Sequence, residues 1–157
     1  MKKSIKISWI VFLSFFFVLS SCSSDDNNEP ETFIKFKING TSYLFKDIIS
    51  VVTDTSLSLN GNNGPGISNP GDTQLAILLP ANVQTGSFEI SGDFFASHKI
   101  IFSSDPLNFD FDTATNGNMT ITNTSGEFVT GIFSATVTNA SGTTINLTDG
   151  DFKGFKD

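Results

Sequence analysis

From Thr32 onward no segment keeps an apolar period of 3.6 residues for a dozen positions, and turn residues recur at short intervals. Without that period there is no helical core to build, so the chain must bury its apolar residues from strands. Thr, Asn, Ser, Gly, Ile, Val and Phe dominate this part of the sequence. They suit half-buried pleated surfaces and the turns between them. The sharpest local signal is Asn39-Gly40, a two-residue type I′ hairpin turn. It predicts that Phe36 pairs with Tyr43 and Ile34 with Phe45 on one face, with Lys35 and Lys37 on the other.

The C-terminal third reads as a meander. One strand covers 118–123 and turns at Thr124-Ser125-Gly126. A long strand over 127–138 puts Val129, Gly131, Phe133, Ala135 and Val137 on one face. Asn139-Ala140-Ser141-Gly142 turns again, and 143–148 returns with Ile145 and Leu147 inward. Phe152 then falls out of phase, and a bulge at Asp149-Gly150 would restore it to the core face. Further strands are expected near 48–53, 55–60, 73–79, 86–90, 99–103 and 108–111. In all, about 9–11 antiparallel strands point to an all-β β-sandwich or flattened barrel. Residues 60–72 form a long loop rich in Gly, Pro and Asn, expected to be disordered or variable rather than functional.

Ahead of this domain the sequence is of another kind. Lys2, Lys3 and Lys6 precede an apolar run over 7–19. As a helix that run spans about 20 Å, short of a hydrocarbon core of about 30 Å, so a cleaved signal helix fits better than a membrane span. Leu19-Ser20-Ser21-Cys22 resembles the lipobox of bacterial lipoproteins. That resemblance implies cleavage before Cys22 and attachment of diacylglycerol to its thiol, with fatty acyl chains such as palmitate as the anchor. Several chains on one residue hold firmly where one is marginal. Ser23, Ser24, Asp25 and Asp26 resemble the acidic export signal of surface-exposed lipoproteins of the Bacteroidota; a plain solvated linker is the alternative. The expected organisation is therefore a signal peptide over 1–21, a lipidated tether over 22–31 and one domain over 32–157.

Charge and cysteine content narrow the partners. Cys22 is the only cysteine, so no intramolecular disulfide exists. The whole chain carries −7, and losing Lys2, Lys3 and Lys6 leaves six basic residues against sixteen acidic ones, about −10. There is no arginine. A basic patch is what polyanions need, so nucleic acid is a poor partner.

The opening hairpin with Lys37-Ile-Asn-Gly-Thr41, and the tail from Asn118 through Glu127-Phe-Val-Thr-Gly-Ile-Phe to Asp149-Gly-Asp-Phe-Lys-Gly154, resemble a family of small Bacteroidota lipoproteins of unknown function. The resemblance covers about half of the domain and implies a lipid-anchored β-sandwich with no functional residues to transfer.

Candidate chemistry is thin. His98 is the only histidine, with Ser97 before it and Asp105 downstream, but no Gly-x-Ser-x-Gly elbow supports a triad. Glu89 and Glu127 are the only glutamates in the domain, a weak basis for a glycosidase pair. Asp110, Asp112 and Asn116 alternate before an Asn-Gly turn and loosely resemble a calcium loop without its bidentate glutamate. Asp149 and Asp151 make a second oxygen-rich turn. Calcium is thus the one candidate cofactor. Thr113, in Asp112-Thr-Ala, resembles a short O-glycosylation acceptor. Sugar binding by stacking lacks its usual residues: Trp9 goes with the signal, and Tyr43 is expected inward. Glycan binding through polar groups stays open. The leading expectation is a non-enzymatic outer-membrane lipoprotein that binds a glycan or protein or plays a structural part. A small hydrolase using His98 or a carboxylate pair is the rival.

Overall fold

The computed structural model describes residues 31–46, 48–66 and 68–156. The expected signal peptide over 1–21 and Cys22, with Ser23, Ser24, Asp25 and Asp26, lie outside them. Ten strands follow in order: β1 (Phe33–Ile38), β2 (Thr41–Lys46), β3 (Ile49–Val52), β4 (Ser56–Asn62) and β5 (Thr73–Pro80). Then come β6 (Gly86–Ser91), β7 (Lys99–Ser104), β8 (Phe109–Asn123), β9 (Phe128–Thr138) and β10 (Thr144–Phe155). One 3₁₀ turn, Asp105–Leu107, separates β7 from β8. All pairings are antiparallel, and the sheet runs β2-β1-β10-β9-β8-β7-β5-β4-β3, with β6 also on β8. The sheet curls into a half-barrel in which β3 approaches β10 and β4 approaches β2. The domain is all-β, the curled form of the two expected.

The first hairpin forms as its turn chemistry requires. Asn39 and Gly40 both hold positive φ, 50° and 81°, the type I′ geometry that matches strand twist. Phe36 pairs with Tyr43 and Ile34 with Phe45. The Phe36 and Tyr43 rings stack at 5.1 Å. Lys35 and Lys37 point outward, to Asp151 and Asp149.

The bulge in β10 also stands. Its pairing with β9 slips between Leu147 and Gly150, and Asp149 takes φ 51°. One extra residue changes the phase, so Leu147 and Phe152 both reach the core, fully buried. Space under Phe152 comes from Gly131, where a Cβ would lie 2.7 Å from the ring.

β8 is longer than the sequence suggests. The expected strands at 108–111 and 118–123 are ends of one 15-residue strand. The anticipated Asn116-Gly117 turn does not form. Asn116 pairs with Thr136 on one side and Ser91 on the other, and Gly117 pairs with Ala135 and Ile90. Ladders on both edges override the local turn preference. The same strand carries β7 along its first half and β6 along its second, so it joins the two halves of the curl.

The core lies inside this curl. Leu57, Leu59, Leu75, Ile77, Ile100 and Phe102 face inward from one half, and Ile34, Phe36, Met119, Val129, Phe133 and Phe152 from the other. Phe36 joins them, its ring edge-on to Phe102 at 6.3 Å and to Phe45 at 5.4 Å. Each such side chain contributes about 1.5–3 kcal/mol through burial.

The segment after β4 corrects the expectation of disorder. Asn63 Oδ1 accepts from the Asp72 and Thr73 amides at 3.1 and 3.0 Å, while its Nδ2 donates to the Asp72 carboxylate at 2.7 Å. Gly64 N donates to Pro70 O. The chain has too few apolar groups here to pack, but Asn and Asp side chains replace packing with hydrogen bonds.

Candidate functional site

A groove of about 500 Å³ lies on the outer face of the sheet. Strand register places its residues in rows. Lys35 of β1 lies opposite Asp151 of β10, which lies opposite Ile132 of β9, which lies opposite Thr120 of β8. A neighbouring pair, Ser134 and Asn118, comes from β9 and β8. Alternation along each strand sends all six to the same outward face. The bulge adds Asp149 at the rim and sets Gly150 in the floor. A Cβ on Gly150 would meet Phe133 O at 2.5 Å and the Phe133 ring at 2.6 Å, so only glycine lets β10 lie this close.

The groove is polar and holds charges of both signs. Lys35 Nζ is 2.9 Å from Asp151 Oδ2, and Lys37 Nζ is 2.9 Å from Asp149 Oδ2. Both pairs are solvent-accessible, so each is worth about 1 kcal/mol or less and can open to a ligand. Thr120 Oγ1 shares a 2.8 Å hydrogen bond with Ser87 Oγ and donates to Asn118 Oδ1 at 3.4 Å. Ile132, 53% exposed, is the apolar patch among these groups. Asp149 and Asp151, the oxygen-rich turn that the sequence marks for a cation, each carry one of these lysine partners.

The other sequence candidates are placed elsewhere. His98 precedes β7 and is buried, 6% exposed. Its ring stacks on Phe88 at 3.9 Å, and Nδ1 lies 3.0 Å from Ser97 Oγ. Nε2 is buried and has no hydrogen-bond partner among the described residues. Burial pushes the His98 pKa below its ordinary 6.5, because it disfavours the charged ring. Asp105 sits past the far end of β7. Seven extended residues put it roughly 20 Å away, so the strand separates the acid from the Ser97–His98 pair.

Glu89 and Glu127 are also apart. Glu89 pairs with Asn118, which faces Ser134, seven residues along from Glu127. That is again roughly 20 Å, well beyond the spans of about 5–9.5 Å that glycosidases use.

Asp110, Asp112 and Asn116 lie along the extended β8 rather than around a loop. Asp112 Oδ2 accepts from the Asp110 amide at 3.0 Å, closing a local kink in which Phe111 takes φ 51°. Asn116 is about 13 Å beyond Asp112 along the strand. Thr113 is half-buried and paired with Ile101.

Sequence reasoning missed the groove. Its residues come from four strands, and no local motif marks them. The alternation of outward polar residues on β1, β8, β9 and β10 was the available signal.

Fold and groove together define an antiparallel β half-barrel with a mixed-charge polar groove on its outer face. Comparison with protein-family models, with curated proteins and with solved structures finds no match for this chain.

Proposed function

We propose that this chain is a lipoprotein anchored through Cys22 in the outer membrane of a bacterium of the Bacteroidota. In this reading Ser23 to Asp26 direct it outward, and its domain is a non-enzymatic binding module. The family of small lipoproteins that it resembles fits this reading. The observation that carries the binding role is the groove over Lys35, Asn118, Thr120, Ile132, Ser134 and Asp151. The separation of Glu89 from Glu127, and of Asp105 from the Ser97–His98 pair, supports a non-enzymatic role over a hydrolase.

The chemistry of the groove suits a hydroxyl-rich ligand, a glycan above all. Carboxylate, amide, hydroxyl and ammonium groups can each take part in hydrogen bonds with sugar hydroxyls, and Ile132 can take a C–H face. This binding is by polar side chains on a sheet, not by stacking on indoles. Calcium at Asp110 and Asp112 and O-glycosylation at Thr113 remain secondary proposals.

Two measurements test the reading. Intact mass of the protein purified from its own membranes should show the diacylglyceryl and acyl increments on Cys22, and Cys22→Ser should release the chain from the membrane. A mass without lipid refutes the anchor. A glycan array should retain the protein, and Asn118→Ala should weaken that retention about tenfold, as the loss of one well-placed polar contact does. Retention unaffected by groove substitutions refutes the site.

A further inference from the structure

Phe94 and Phe95 are the most exposed large apolar side chains among the described residues, at 83% and 88%. Single exposed apolar residues are ordinary; an adjacent pair of nearly bare phenyl rings on an acidic, polar domain is not. The rings are held outward by a braced turn between β6 and β7. Asp93 Oδ1 accepts from Phe95 N at 2.8 Å, and Ala96 N donates to Asp93 O at 3.1 Å. Gly92 N donates to Thr115 O, tying the start of the turn to β8. At the other end His98 is stacked on Phe88. The two rings meet edge to face at 5.3 Å. Lys99 lies beside them, its ammonium 5.2 Å from the centre of the Phe94 ring and donating to the Phe94 carbonyl.

We propose that this turn is a second membrane contact, its two phenyl rings entering the interfacial layer of the bilayer that holds the Cys22 anchor. The proposal rests on the lipid-anchor reading above. Residues 22–31 can stretch to about 35 Å, close to the diameter of about 35 Å expected for a domain of this size. Strand register puts the turn at the Ile38 end of the sheet, opposite Phe33 where the tether joins, so the tether must run back along the domain, a path within its extended length. Anchoring makes the contact intramolecular, so two rings that would hold a free protein poorly suffice to orient a tethered one. Lys99 is placed to stay at headgroup level while Phe94 enters, as amphipathic lysines do. The acidity of the rest of the surface disfavours its lying flat on anionic lipid, which confines contact to the tip.

The test uses the full chain in vesicles of phosphatidylethanolamine and phosphatidylglycerol. Trp9 is the only tryptophan, so a Trp9→Phe background leaves any introduced indole as the sole reporter. In Phe94→Trp and Phe95→Trp the emission should shift to the blue on reconstitution and be quenched by brominated acyl chains. Phe111→Trp, an exposed position on β8, should keep its aqueous emission. No shift at positions 94 and 95, or an equal shift at all three, overturns the proposal; the first is also what a protein pocket as true partner gives. Intact mass on the same sample reads the anchor separately. If no lipid is found, the anchor reading fails and the proposal that rests on it fails with it, whereas lipid on Cys22 with no shift at positions 94 and 95 overturns the proposal alone. Amide exchange over 93–98 in the unsubstituted chain should slow on reconstitution, and unchanged exchange counts against insertion.

Discussion

His98 shows how much one side chain can be asked to do. Its ring is stacked on Phe88 and buried, so the folded protein holds its pKa below the ordinary 6.5 at which an unfolded chain protonates it. The unfolded state then binds the extra proton, so this contribution to stability is fully present above about pH 6.5 and declines as pH falls below it. Chemical denaturation from about pH 7 to pH 5 should show the wild type losing stability that His98→Gln does not lose; parallel curves would show that the ring does not titrate in this way. Gly150 carries a steric demand instead. Gly150→Ala drives a methyl group against Phe133 and should cost about 1–3 kcal/mol, read as a lower denaturant midpoint at unchanged slope. Asp151, half-open to solvent in its pair with Lys35, should tolerate Asp151→Ala within about 1 kcal/mol. Groove substitutions can therefore be assayed for binding without unfolding the protein.

The strands and turns differ in how legible they are. Asn39-Gly40 is nearly self-sufficient: both residues accept positive φ, and the flanking alternation agrees with the turn. The bulge at Asp149 was legible for a related reason, since Leu147 and Phe152 cannot both be inward without one extra residue. β8 was not legible in the same way. Its polar middle, with Asn116-Gly117, has the composition of a turn, and only ladders to β9 on one edge and to β6 and β7 on the other keep it extended. Composition also misled over the segment after β4, where polar residues suggested disorder and instead supply the bonds that order it. Asn63→Ala removes the acceptor for two amides and the donor to Asp72. Amide exchange at Asp72 and Thr73 should accelerate by about tenfold or more while the melting temperature stays nearly unchanged, because this opening is local. Global loss of stability would mean that the segment is part of the core unit.

The half-barrel as a unit depends on the inner face that both halves share. Phe36, packed with Tyr43, Phe45, Phe102 and Phe133, bridges them. Phe36→Ala should cost about 3–5 kcal/mol by equilibrium unfolding, a large share of the stability of a domain this size. The period-2 pattern made this inner face readable in the sequence. The outer groove was not readable, because Lys35, Asn118, Ser134 and Asp151 are brought together only by the register of β1, β8, β9 and β10. A linear pattern gives strand faces, whereas a site across four strands needs their order and offset. The binding role proposed for the groove is therefore best tested where those strands meet. A glycan array should be probed with the detergent-solubilised full chain and with Ser134→Tyr, which fills the groove from β9. The account predicts that the unsubstituted protein retains at least one glycan class and that Ser134→Tyr loses it by tenfold or more; no retention by the unsubstituted protein, or equal retention by both, would contradict it.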